Sequence, residues 1–186
     1  MFLLDTNVIS EIRKPQSRID ANVKQWFEDK SPLDCYLSST TIYEIEMGIV
    51  QVNRKDKPQA AILRYWLENH VLAAFENRIL PMETAVARAA ANLQKRRTLP
   101  YRDCIIGATA LVNGLTMVTR NVADFESMPI SLVNPWIGIE ENDEDVRSVS
   151  ELAGSLFSGS NAPRIEEINE AIELGAISGF DKDEAN

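Results

Sequence analysis

Met1-Phe-Leu-Leu-Asp5-Thr-Asn-Val-Ile-Ser10 sets four apolar residues ahead of an acid, and the rest of the chain is read outward from that pattern. A short apolar run closing on an acid predicts a buried strand, Met1 to Leu4, with a carboxylate at its carboxyl end. Leu33 to Ser38 is a second such run, closing on Ser38-Ser-Thr-Thr41, and predicts a second strand. Between them Val23, Trp26 and Phe27 recur at helical spacing within Arg18 to Asp29. Pro58 starts a long helix in which Ile62, Leu63, Trp66, Leu67, His70 and Val71 keep a 3-4 spacing. A further helix runs from Glu83 to Arg97 and is broken by Pro100. Tyr101 to Val112 then restarts as an apolar helix whose Gly107, Ala108 and Ala110 permit close packing. Leu115 to Thr119 and Ile130 to Val133 are the closing strands. Strands separated by helices need crossover connections, so the expected fold is α/β, a parallel sheet flanked by helices.

At 186 residues and 45% hydrophobic the chain is long and apolar enough to bury a core. No run approaches the roughly 20 apolar residues of a membrane helix, and Asp5 comes too early for a signal peptide, so a cytoplasmic protein with no membrane partner is expected. Cys35 and Cys104 are far apart and His70 is the single histidine, which excludes a disulfide framework and a histidine-rich zinc site. The net charge of -9 conceals a division. Through Trp136 there are 16 Lys and Arg against 15 Asp and Glu, a net +1; from Ile137 onward there are 3 against 13, a net -10. Two regions with different electrostatic roles are expected, a body over 1–136 and an acidic helical tail over 137–186. The overall acidity does not exclude an anionic substrate.

In open parallel sheets the site lies beyond the carboxyl ends of the strands. Four acids fall there: Asp5 ends the first strand, Glu44 follows the second, Asp103 opens the helix before the next strand, and Asp124 follows Thr119. Carboxylates gathered at one edge repel one another unless cations sit between them, which points to magnesium or manganese. Such ions make a nucleophile of water near neutral pH and neutralise the attacking and leaving oxygens of a phosphodiester. Each acid also has a bland explanation. Thr41-Ile-Tyr-Glu44 fits a helix capping box, Asp103 suits the dipole of a helix first turn, and Asp124 fits turn chemistry after Asn121. Asp5 has little structural use directly after a buried strand, and four coincidences at one edge are less economical than one site.

The segments FLLDTNVIS (2–10), TTIYEIEMG (40–48), YRDCIIGATAL (101–111) and MVTRNVADF (117–125), followed by VNPW (133–136), resemble the PIN-domain ribonucleases, specifically bacterial toxins of the VapC and FitB type. The resemblance covers Met1 to Trp136 with the motifs in order. It implies Asp5, Glu44, Asp103 and Asp124 as the catalytic, metal-binding acids, with Thr6 and Asn121 lining the site. Glu46 is left out because Thr41, Glu44 and Gly48 supply the Thr-x-x-Glu-x-x-x-Gly placement. The resemblance further implies a Mg2+- or Mn2+-dependent endoribonuclease of a toxin-antitoxin system, acting on RNA as a homodimer and neutralised by an antitoxin.

Cations near the acidic edge are the expected RNA grip. Lys95, Arg96, Arg97 and Arg102 lie within eight residues of Asp103, and Arg13, Lys14 and Arg18 follow Asp5. Helix ends favour Lys and Arg in any case. Tyr101 is the sole candidate for stacking on bases, and its place at the head of an apolar helix reads as core. Other functions fit less well. A haloacid-dehalogenase phosphatase needs a second Asp where Asn7 stands, and a receiver domain needs an early acidic pair. A noncatalytic module binding RNA or a protein is the alternative, although such modules have usually lost acids that are all present here.

After Trp136, IGIEENDEDV (137–146) has the composition of a disordered linker. Val149, Leu152, Ala153, Leu156 and Phe157 then keep an amphipathic spacing, as do Ile165, Ile168 and Ile172. ELAGSLFSGSNAPRIEEINEAIELGA (151–176) resembles the toxin-wrapping end of VapB-type antitoxins. By that resemblance Arg147 or Arg164 is the arginine that enters the acidic pocket, and the tail is inhibitory, whether a natural or a constructed fusion. An ordinary helical extension of the body is the alternative.

Overall fold

A computed structural model describes residues 1–94 and 99–137. It is an α/β fold, a five-stranded sheet of order β3-β2-β1-β4-β5 in which every neighbouring pair is parallel. The strands are β1 (Phe2–Leu4), β2 (Cys35–Ser38), β3 (Ile79–Leu80), β4 (Thr116–Val118) and β5 (Leu132–Val133). The helices are α1 (Thr6–Ile12), α2 (Ala21–Glu28), α3 (Ser39–Asn53), α4 (Lys57–Trp66), α5 (Thr84–Leu93), α6 (Tyr101–Asn113) and α7 (Val122–Phe125). Among the described residues no helix is long and apolar enough to cross a membrane.

The central strand is apolar throughout because both of its faces are covered. Leu4, with Val118 beside it, enters a core shared with Val8, Ile9, Trp26 and Phe27. Leu3, with Met117 beside it, enters the opposite core, shared with Val86, Cys104, Ile106 and Phe125. Adjacent residues thus serve opposite layers, as strand pleating requires. Each fully buried leucine contributes about 1.5–3 kcal/mol by its removal from water. Cys35 and Cys104 are free, buried thiols, one in each core.

Several expectations from sequence change in detail. The second strand begins at Cys35, since Pro32 opens a 3-10 turn, Pro32–Asp34, capped by the Ser31 hydroxyl. The helix expected from Pro58 to Val71 is α4 followed by a π-turn over Leu67–Leu72. Helix α1 and strand β3 were not legible. Seven and two residues are too short to display a period. Lys95, Arg96 and Arg97 lie outside the described residues, as do the tail from Gly138 onward with Arg147 and Arg164.

Two glycines shape the entry to β4. Gly114 ends α6 in the left-handed region at φ 62°, which reverses the chain into the strand at no steric cost. A Cβ on Gly107 would collide with the Met128 sulfur, so this bare backbone lets α6 lie against the segment that follows α7.

Candidate active site

Parallel strands put all their carboxyl ends on one edge, and the acids are delivered to that edge by different elements. Asp5 follows β1 directly. Its carbonyl accepts from the Val8 and Ile9 amides and its Oδ1 accepts from the Thr6 amide at 2.8 Å, so it is the N-cap of α1. The expectation that Asp5 has little structural use is therefore corrected: it starts a helix as well as ending a strand. The Asp5 amide donates to the Val118 carbonyl at 3.0 Å, extending the β1–β4 ladder and bringing Thr119 alongside.

Two groups not singled out from sequence hold the second carboxylate oxygen. Thr119 Oγ1 donates to Asp5 Oδ2 at 2.6 Å, and Asn7 Nδ2 donates to the same oxygen at 2.6 Å and to Thr119 Oγ1 at 3.1 Å. Asn7 Oδ1 accepts from the Arg120 amide at 3.2 Å, and Thr119 Oγ1 accepts from the Asn121 amide at 3.0 Å. The usable signal for Asn7 was its place two residues after Asp5; for Thr119 it was a polar residue closing an apolar strand. Asn121, expected to line the site, is exposed at the head of α7 and meets this network through its backbone amide.

Glu44 sits in the second turn of α3, whose N-cap is Ser38, with its hydroxyl accepting from the Thr41 amide at 2.9 Å. The capping-box explanation of Glu44 is thereby overturned, and its carboxylate is free for other work. Its Oε2 accepts from the Thr6 hydroxyl at 2.5 Å and its Oε1 meets Arg102 Nε at 3.3 Å. Glu46, two residues on, points elsewhere and forms a two-pronged pair with Arg64, each bond 3.1 Å, tying α3 to α4.

Asp103 occupies the first turn of α6, which runs back from the carboxyl edge to feed β4. Its carboxyl is pushed up to about 6, first by burial and then by the charges of Asp124, Asp5 and Glu44, with Arg102 pulling the other way. The charges of the other three acids thus reach Asp103. Asp5, only 7% exposed, is also raised, chiefly by burial and further by Glu44, while the bonds from Thr119, Thr6 and Asn7 oppose the rise. Burial and like charge both penalise the anions, and a bound cation would relieve both. An all-oxygen, multiply anionic set of this kind suits a hard divalent ion. Among the described residues no three such side chains converge closely enough to enclose one ion as they stand.

The expected cations divide. Arg102 is inside the cluster through Glu44. Arg13 and Lys14 lie at the far end of α1, about 12–14 Å along the helix from Asp5. Arg13 covers the Trp66 ring at 5.6 Å and Lys14 pairs with Glu11 at 2.7 Å. Tyr101, read from sequence as core, is instead 69% exposed at the first position of α6, two residues before Asp103.

Known proteins share the sequence and fold of this region. The family model of the PIN domain matches residues 2–129. The plasmid stability protein StbB of Pseudomonas syringae pv. tomato is 37% identical over 145 residues, covering 73% of this chain and 99% of its own. The toxin FitB of Neisseria gonorrhoeae is 34% identical, with the same coverage of both chains. VapC ribonuclease Y4jK of Sinorhizobium fredii is 31% identical, over 73% of this chain and 98% of its own. A crystal structure of FitAcB from Neisseria gonorrhoeae superposes with a TM-score of 0.67 at 32% identity, covering 74% of this chain and 99% of that one. The chain is thus a member of the PIN-domain family, related over its first three-quarters to toxins of the VapC and FitB kind.

Proposed function

We propose that the protein is the toxin of a toxin-antitoxin system, an endoribonuclease that hydrolyses RNA phosphodiesters with Asp5, Glu44, Asp103 and Asp124 as its divalent-metal ligands. The observation that carries this reading is the gathering of acids at the carboxyl edge of the sheet, where burial and the charges of Asp124, Asp5 and Glu44 together raise the Asp103 carboxyl. Magnesium or manganese, when bound, would lower the pKa of water and offset charge on the attacking and leaving oxygens. The chain's own residues supply the rest. Thr119, Asn7 and the Thr6 amide fix the Asp5 carboxylate, and the Thr6 hydroxyl orients Glu44. Arg102 is the candidate for a phosphate among the described residues, and Arg96 and Arg97, near it in sequence, are proposed to extend that grip, whereas Arg13 and Lys14 are engaged with Trp66 and Glu11. Asn121 lines the mouth. An antitoxin partner is supported by related structures such as that of FitAB bound to an IR36 DNA fragment, 32% identical to this chain. A homodimer accords with Tyr43 and Val50, exposed seven residues apart on α3.

The acidic region 137–186 is proposed to inhibit the body, with Arg147 or Arg164 reaching the acids. Support comes from where the body ends. Strand β5 is parallel to the others, so the chain leaves it at the acidic edge. Trp136 then stacks under the Arg120 guanidinium at 5.5 Å, while the Arg120 amide holds Asn7. A tether starting there gives an intramolecular inhibitor a high effective concentration. The test compares RNA cleavage by the full chain and by residues 1–136, with manganese and with chelator. The truncated form corresponds to the nearly complete length of StbB and FitB. Manganese-dependent cleavage that rises on truncation is expected. Equal rates would assign the tail to structure, and chelator-resistant cleavage or none from either form would remove the metal-ribonuclease reading.

A further inference from the structure

We infer that Arg102 is an internal counter-cation that holds Glu44 away from the metal position until an ion arrives, and then turns to the RNA phosphate. The inference rests on the metal-ribonuclease reading and deepens it.

Three observations combine. Both oxygens of Glu44 are already engaged, one by the Thr6 hydroxyl and the other by Arg102 Nε at 3.3 Å. Glu44 is also the acid whose engagement has no helix-capping purpose, since Ser38 caps α3. Among the described residues no three acids close around a point, although the charges of Asp124, Asp5 and Glu44 all reach Asp103. Glu44 drawn onto Arg102 accounts for that open arrangement.

Arg102 is also badly placed for anything else. It occupies the first turn of α6, where the helix dipole disfavours a cation. Glu44 is its one ion-pair partner among the described residues. The two ends of the pair differ in solvation: the Arg102 side chain is 52% exposed and that of Glu44 20%. When Glu44 leaves for a divalent ion, the guanidinium loses the one ion-pair partner it has among the described residues. Its exposed fork is then free for a phosphate oxygen, which guanidinium groups bind through paired donors. A pair this exposed is weak enough to exchange, with the usual worth of such pairs corresponding to no more than roughly a fivefold change in an equilibrium constant. The exchange couples the two ligands: metal binding frees the residue that receives RNA.

The test is Arg102→Gln in the full chain, read by two binding measurements. Manganese alone is titrated and followed by loss of the aqueous Mn2+ electron-spin signal. A labelled, nuclease-resistant phosphorothioate oligoribonucleotide is then titrated in saturating manganese and followed by anisotropy over a range of salt. The expected result has opposite signs. Manganese binds roughly threefold tighter in the variant, because its competitor for Glu44 is gone. The oligonucleotide binds more weakly, and the slope of log Kd against log salt falls by roughly 0.7, one phosphate contact on a single strand. Arg102→Lys should restore the salt slope in part, as it keeps the charge without the fork. In a Glu44→Gln background the Arg102 substitution should no longer alter manganese affinity. Manganese affinity that is unchanged or weaker in Arg102→Gln, with the parent binding manganese normally, overturns the counter-cation role and leaves the proposed function standing. Absence of manganese binding both by the parent chain and by residues 1–136 overturns both.

Discussion

Asp103 and Asp5 have similar chemistry but different structural obligations, and substitution separates them. Asp103→Asn should abolish metal-dependent RNA cleavage while leaving the metal-free protein as stable as the parent or more so at pH 7. The sign follows from the raised carboxyl. Between 3.8 and about 6 the folded chain holds a proton that the unfolded chain has released, so stability falls as pH rises through that window. The cost is complete above about 6 and absent below 3.8. Removing the carboxylate should recover on the order of 1–2 kcal/mol, allowing for solvent screening, and the gain should vanish in melts below pH 4. A gain that persists there would assign it to another cause. Asp5 differs because three donors converge on it. Thr119→Val removes one of them, so the Asp5 carboxyl should rise further and manganese binding should require a higher pH. Stability should drop by about 1–2 kcal/mol, as for a lost hydrogen bond to a charged group. An unmoved pH midpoint of manganese binding would show that Thr119 does not tune this acid.

At the scale of elements, α6 carries both the site and the tightest packing. Its first turn presents Arg102 and Asp103 at the carboxyl edge, and Gly107, one turn on, lies against Met128 and Phe125. Gly107→Ala gains helix propensity but forces the Met128 side chain aside, and overpacking should win by about 1–3 kcal/mol. Since α7 carries Asp124 and ends at Phe125, the displaced contact should also disturb that acid relative to Asp103. Thermal melting together with manganese titration checks both effects; a stabilised variant with parental affinity would contradict this account of the α6–α7 contact. The gap between short and long elements also explains what was legible. Helix α3 starts at Ser38 rather than at a Thr41–Glu44 box, because a hydroxyl at the end of β2 reaches the Thr41 amide first. Helix α1 depends on Asp5 as a cap and was invisible because a strand-ending acid and a helix-starting acid look alike in sequence.

Over the whole molecule, charge is partitioned between a near-neutral body and an acidic region after Trp136. Cations of the body counterbalance its own acids locally, as Lys14 does for Glu11 and Arg64 for Glu46. Arg96 and Arg97 are proposed to serve RNA. Neutralising both should weaken RNA binding across unrelated sequences and reduce its salt dependence, because phosphate contacts carry no base identity. Salt titrations with two unrelated RNAs check this, and an unchanged slope would place the RNA on another face.

Sequence by itself determined the α/β class, the strand-ending acid, the apolar α6, the division at Trp136 and the four acids as candidates. Those features are local: apolar runs, a helical period, a composition change and a residue at the end of a run need no partner to be recognised. Only the tertiary structure decided what the acids meet. That Thr119 stands beside Asp5 follows from β4 pairing with β1 across more than a hundred residues, and that Glu44 binds Thr6 and Arg102 follows from α1, α3 and α6 meeting at one edge. It also decided that Tyr101 is exposed and that Arg13 and Lys14 have local partners. Hydrogen bonds and ion pairs form between neighbours in space, and the order of strands in a sheet, which sets those neighbours, is absent from the periodicity of any one segment.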